Sequence, residues 1–218
     1  MRYSKDHKAE THERIVKRAA VRLKERGAAG LGVAELMKEA GLTHGGFYAH
    51  FASRDALIGE AFAHAMEQTA QRWRTRADAA PEGQGLAAIV DAYLTPEHRD
   101  NVGRGCALPA LGAEVVRAGP KTRKVFAARI EDMVEVLAGE MPAPNPKAAR
   151  REAIAALATM MGALLLARMA GSGEFSDEIL AAGRDAARRT AAAKPRTRKA
   201  PPANKAPAAK SSPAGRRA

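Results

Sequence analysis

Apolar side chains recur at three- and four-residue intervals along most of this chain, the period of helices with one buried face. Ile15, Ala19 and Leu23 mark a first helix that opens at Thr11 and stops at Gly27, after a frayed polar arm over residues 1–10. Val33, Leu36, Met37 and Ala40 mark a second, short helix. A long helix follows from Ser53 to about Ala77 through Leu57, Ala61, Phe62, Ala65, Met66 and Trp73. Further helices are expected over 86–94, 107–118, 121–141, 147–169 and 176–190. The loop APEGQG, Thr95-Pro96, Gly119-Pro120 and the proline-rich 141–147 separate them. The pattern predicts an all-α chain of three parts: a head over 1–52, a helical body over 53–190 and a tail over 191–218.

Residues 31–57, LGVAELMKEAGLTHGGFYAHFASRDAL, hold the most specific pattern. Two short helices flank a turn at Gly41, where glycine accepts a positive φ without a Cβ clash. Leu42 plugs the angle between them, and Thr43 is placed to cap the second helix. That helix offers Thr43, His44, Gly45, Gly46 and Ala49 to solvent. Two glycines inside it cost about 1 kcal/mol each relative to alanine. Such a cost is tolerable where the backbone must approach another surface closely. Phe47 and Phe51 should pack inward, with Tyr48 and His50 turned out toward phosphates. Ser53 caps the long helix, and Arg54 in its first turn can reach a phosphate. This is the layout of a helix-turn-helix that seats one helix in the major groove of DNA.

The run GLTHGGFYAHFASRDAL resembles the recognition helix of the tetracycline-repressor (TetR) family, and THERIVKRAAVRLKERGAAGLGVAELMKEAG resembles that family's first two helices. The likeness covers residues 11–60 nearly continuously, with two departures. Gly32 stands where the family usually has a capping serine or threonine, and Arg54 replaces the usual lysine. The resemblance implies a homodimeric transcriptional regulator, usually a repressor, released from a palindromic operator by a small ligand. It implies backbone contacts from Tyr48, His50 and Arg54, a groove-facing set of Thr43, His44, Gly45 and Gly46, and a four-helix dimer interface from the last two helices of each subunit. The apolar segment 153–170 suits that interface, because a helix apolar on nearly all sides must be buried on nearly all sides. Burial within one subunit is the alternative.

Charge sharpens this division. The chain of 218 residues carries a formal net charge of +12. Residues 1–50 hold 10 Lys/Arg against 6 Asp/Glu, residues 52–190 hold 18 of each, and residues 191–218 hold 8 Lys/Arg and no acid. A basic head, a neutral body and a basic tail suggest nucleic acid at the head and non-specific DNA contact at the tail. The Ala/Pro/Lys tail has no large apolar residue and is expected to be disordered. One reading of that tail makes the protein an architectural, nucleoid-type DNA binder instead. No apolar run reaches 18 residues without a charge, so no membrane span is expected. The N-terminus lacks an apolar signal region, and a single cysteine suits a reducing cytoplasm. No G-x-S-x-G, H-E-x-x-H, phosphate-binding glycine loop or Cys/His cluster occurs, so neither an enzyme nor a metal or cofactor site is expected.

In the body, GRGCALPAL over 103–111 places Cys106 just before a helix, where the helix dipole and Arg104 favour thiolate. Gly103 and Gly105 before it leave the thiol sterically accessible. Similar segments occur in a TetR branch that regulates detoxification of electrophiles, which implies a sensor role. A small buried hydrophobe is the plainer alternative. A ligand pocket is expected between the two central helices and the 147–169 helix. Its candidate lining is Met66, Trp73, Leu108, Met133, Met160 and Met161, a methionine-rich wall for apolar ligands.

Overall fold

A computed structural model describes residues 5–117 and 119–192. The tail expectations, from 193 on, lie outside the described residues. Every regular element among those described is helical. The chain runs through α1 (Lys5–Arg26), α2 (Val33–Glu39), a 3-10 turn (His44–Ala49) and α3 (Arg54–Asp78). It continues through α4 (Gly85–Tyr93), α5 (Pro96–Asp100), a short 3-10 turn (Val102–Arg104) and α6 (Ala107–Arg117). It ends in α7 (Pro120–Gly139), α8 (Pro146–Ala170) and α9 (Glu174–Ala192).

Three local outcomes differ from the sequence reading. First, α1 begins at Lys5, so residues 5–10 are helical rather than a frayed arm, and Thr11 is buried within the helix instead of capping it. Residues 6–10 face solvent and leave no apolar stripe, so periodicity could not register them. Second, the recognition element is a 3-10 turn. Its two glycines weaken an α-helix, and Thr43 takes the N-cap position without making a side-chain cap bond. Third, Pro96 both ends one helix and starts another. Thr95 Oγ1 accepts from the His98 amide at 3.1 Å, and Pro96 sits in the first turn, where its missing N–H costs nothing. As expected, Gly32 gives α2 no side-chain cap, and Gly41 turns the chain at φ +75°.

The head packs α1 across α3, with Ile15, Ala19, Leu23, Leu36, Met37, Phe47, Phe51 and Leu57 in its core. Arg22 pairs with Glu39, and also with Glu35 at 3.2 Å, tying α1 to α2. Because α3 belongs to both head and body, it links them rigidly. In the body, α7 packs on α3 and α8, and α8 forms an antiparallel hairpin with α9. Gly183 lets these two helices close, since a Cβ there would overlap Ala163. Arg99, buried on α5, bonds Asp177 Oδ1 at 2.7 Å and Ser176 Oγ at 3.0 Å, and so anchors the cavity wall to the α8–α9 corner.

Among the described residues α8 alone is long and apolar enough to cross a membrane, with Arg168 its only late charge. Here one side of it, Ala153, Ala156, Leu157, Met160, Leu164 and Ala167, packs into the protein core.

Candidate DNA-reading turn and ligand cavity

The 3-10 turn packs against α2 and leaves much of its own surface exposed. Phe47 and Phe51 are buried and stacked at 5.4 Å, which anchors the turn from beneath. Their burial leaves Tyr48 on the outer side, 71% exposed, beside exposed Thr43, His44 and Gly45. Gly46 is half-buried under them. A Cβ added at Gly45 would meet open space. The fold itself therefore makes no demand for glycine there.

Two side chains differ from the expected phosphate contacts. Arg54 is turned inward. Its guanidinium donates to the carbonyls of Ala28 and of Leu31, the latter at 3.3 Å, and so clamps the α1–α2 loop. The carbonyls that end a helix and its following loop attract a cation as a phosphate would. His50 is half-buried, and its Nδ1 has no partner. Burial, then nearby His12 and Lys8, lowers its pKa. His12, which carries no motif or periodic signal, stacks on Phe51 at 4.5 Å and bonds Glu60 at 2.6 Å. It braces α1 against both the turn and α3. Only chain reversal brings these groups together, since 48 positions separate His12 from Glu60.

The body holds a cavity of about 240 Å³ between α3, α4, α5 and the 101–106 loop. This is not the expected place between the central helices and α8. Its walls are Thr69, Arg72, Trp73 and Arg76 from α3, Ile89 and Tyr93 from α4, and Glu97 and His98 from α5. The loop adds Asn101, Arg104, Gly105 and Cys106. Of the expected methionine-rich wall only Trp73 is present. Met66, Leu108, Met133 and Met160 are buried core residues, and Met161 is half-buried against that core. Methionine and leucine at helical spacing fill the seams between packed helices, whereas the cavity is lined by polar ends of α3 and α5 that carry no periodic signal.

Cys106 does line the cavity, but not as an open thiol. It is 0% exposed, and burial raises its pKa, against smaller opposing influences of the Leu108 amide, Tyr93 and Arg72. Arg104 points to solvent and its amide caps onto Asn101 Oδ1 at 3.1 Å. The nearby guanidinium is that of Arg72, which donates to the Arg104 carbonyl at 3.2 Å and to Thr69 Oγ1 at 3.2 Å. The glycines expected to expose the thiol instead admit close neighbours: a Cβ at Gly105 would meet both Arg168 and the His98 ring at 2.8 Å.

His98 organises this corner. Its Nδ1 lies 2.6 Å from the Tyr93 carbonyl, so it carries the proton, and its Nε2 accepts from the Cys106 amide at 2.9 Å. The bond accepted at Nε2 needs the neutral ring, whereas the Nδ1–H bond survives protonation. Burial lowers its pKa to about 4, and the cations Arg168, Arg72 and Lys24 add to the effect against the Tyr93 carbonyl. Lys24, on α1, crosses from the head. It is 7% exposed and donates to the Gly105 carbonyl at 3.0 Å. Burial and then Arg72 lower its pKa to about 8. A second tie lies beside it, where Glu114 Oε2 on α6 accepts from the Ala28 amide at 3.0 Å.

A helix-turn-helix head continues through α3 into a helical body that holds this cavity. Residues 13–61 match the model of the bacterial regulatory proteins of the tetR family. The whole fold is similar to that of a TetR transcriptional regulator from Chloroflexus aurantiacus J-10-FL, with a TM-score of 0.70 at 24% identity, covering 86% of this chain and 95% of that one. It is similar to a TetR-family regulator from Cytophaga hutchinsonii, with a TM-score of 0.72 at 18% identity, covering 89% and 100%. It is also similar to the transcriptional regulator FadR from Bacillus subtilis in complex with stearoyl-CoA, with a TM-score of 0.61 at 14% identity, covering 83% and 97%. Among curated proteins none matches. The head thus matches the tetR-family model, and the chain as a whole shares the fold of TetR-family regulators.

Proposed function

We propose that this protein is a homodimeric repressor that binds a palindromic operator and is released when a small molecule occupies the body cavity. Thr43, His44, Gly45 and Gly46 enter the major groove, and Tyr48 meets the flanking phosphates, with half-buried His50 packed near His12 and Phe51. Arg54 supports that surface by holding the α1–α2 loop on its carbonyls. Head, body and tail correspond to residues 1–52, 53–190 and 191–218, and the protein works in the cytoplasm on nucleoid DNA.

The observation that carries the reading is the direct bond between cavity and head. The loop carrying Gly105 and Cys106 walls the cavity on one side and accepts the Lys24 ammonium of α1 on the other. A ligand that displaces this loop must move α1 or break that bond. Either outcome changes the spacing of two recognition turns, which adjacent half-sites require at one helical turn, roughly 34–36 Å, or a multiple. That the B. subtilis regulator of the same fold was solved with stearoyl-CoA supports a small-molecule effector here. A non-covalent ligand fits better than thiol modification, because the Cys106 thiol is buried and its pKa raised. The test is footprinting of the promoter regions beside its own gene. A palindromic footprint abolished by one small molecule supports the proposal, and uniform coverage of DNA overturns it.

A further inference from the structure

The cavity's surroundings carry more positive charge than the chain neutralises. Arg72, Arg76 and Arg104 line it, while Lys24 and Arg168 stand behind the Gly105 wall. Among the described ion pairs none joins any of these five cations to a carboxylate. Their partners are neutral. Arg72 bonds a carbonyl and a hydroxyl, Lys24 bonds a carbonyl, and Arg168 donates to the carbonyls of His98 at 3.0 Å and Arg99 at 3.2 Å. Arg168 Nη1 is buried with no partner at all. The carboxylates in the neighbourhood, Glu97 at the rim and Glu25 on α1, are exposed to water. Lys24 is buried and Arg168 half-buried, while Arg72, Arg76 and Arg104 are exposed; a cation held out of water without a counter-charge is costly, and an anion bound among these groups offsets that cost.

Two further features narrow the anion. The Tyr93 hydroxyl lines the cavity on a residue 3% exposed and lies within reach of the Cys106 thiol, so a ligand oxygen would compete with that sulfur for its proton. Trp73 and Tyr93 meet edge to face at 5.6 Å and form an aromatic part of the lining. The volume, about 240 Å³, is that of roughly eight liquid waters, which suits a ligand of about one aromatic ring with a small substituent. Resting on the reading of this cavity as the effector site, we propose that it binds a small aromatic carboxylate. Arg72 and Arg104 hold the carboxylate, whose planar pair of oxygens matches a guanidinium fork. The ring lies against Trp73 and Tyr93, and the Tyr93 hydroxyl donates to a ligand oxygen.

Trp73 is the one tryptophan in the chain, so its fluorescence reports on this site alone. The full-length protein is titrated at constant ionic strength with benzoate, with benzamide as its uncharged isostere, and with inorganic phosphate. Benzoate should change Trp73 emission saturably. Benzamide should bind at least tenfold more weakly, and phosphate should not change the emission. Arg72→Gln should weaken benzoate at least tenfold while leaving benzamide unaffected, and Arg72→Lys should recover part of the loss. Should Arg72→Gln not fold, Arg104→Gln at an exposed position supplies the same comparison. Equal binding of benzoate and benzamide, an equal response to phosphate, or no response to benzoate each overturns the proposal. Operator release is measured separately. Benzoate binding without release would leave the anion site standing and sink effector control, and release by uncharged compounds alone would do the reverse.

Discussion

At Gly45 the fold leaves room for a side chain and does not fill it. If the vacancy belongs to a DNA groove, Gly45→Ala should raise thermal stability slightly, by at most about 1 kcal/mol from backbone propensity. It should also weaken operator binding about tenfold or more. Thermal melts and gel shifts on one preparation decide this, and unchanged affinity would remove Gly45 from the interface. His98 gives a prediction about pH. Its pKa is lowered from the ordinary imidazole value to about 4, so the unfolded chain binds more protons between those values, and stability must fall as pH drops through that window. His98→Gln should flatten that part of the melting-temperature profile, and a profile identical to wild type would show that the neutral ring is not held by the fold. The contrast between these positions shows what the sequence makes legible. Phe47, Phe51 and Tyr48 were placed by pattern, because burial and exposure follow helical period. Arg54 and Cys106 were not, because each is decided by groups distant in sequence. The carbonyls of Ala28 and Leu31 hold the first, and Tyr93, Thr69 and His98 enclose the second.

The same division holds for elements. The bounds of α3, α7 and α8 were legible to within a residue or two, since apolar spacing and proline or glycine stops define them, whereas the polar start of α1 was not. The cavity was not, since it arises where the ends of α3, α4 and α5 meet and its polar lining leaves no stripe. What α8 buries was half legible. Its inner side packs into the core, and its outer side leaves Ile154, Leu165, Leu166 and Met169 exposed, with Phe175 of α9 beside them. Ile154, Ala158, Leu165 and Met169 follow one another at helical spacing on a single face. A contiguous apolar face of this kind marks an interface. In the dimer proposed for this protein, α8 and α9 of both subunits cover each other's outer faces. Leu165→Glu should then yield monomers, because a charge buried unpaired costs several kcal/mol, while Ala158→Ser should remain dimeric. Sedimentation at micromolar concentration measures both, and a wild-type monomer there would overturn the assembly.

Across the whole molecule, charge and linkage set how the parts cooperate. The basic tail, with 8 Lys/Arg over 191–218, brings charge without a base-reading surface. Its deletion should leave operator preference intact and reduce the salt dependence of non-specific binding, each lost phosphate contact removing about 0.9 from the slope of log K against log salt. An unchanged slope would show that the tail does not touch DNA. Lys24 joins head to body, and it does so at a measurable cost. Arg72 of α3 and Arg168 of α8 oppose its charge, while Glu25 and Cys106 favour it too weakly to offset burial. With its pKa lowered from the ordinary lysine value to about 8, the unfolded chain binds more protons between those values, so wild-type stability should rise with pH across that window. Lys24→Met keeps the buried stem and removes both the charge and the bond to Gly105. It should abolish that rise, leave the operator affinity of the ligand-free protein within about threefold, and still bind benzoate at Trp73. Release of the operator by benzoate should weaken at least tenfold, because the loop can then move without pulling α1. Normal release from a Lys24→Met protein that has lost the pH-dependent rise would show that the signal travels through α3 or through Glu114, and not through this bond.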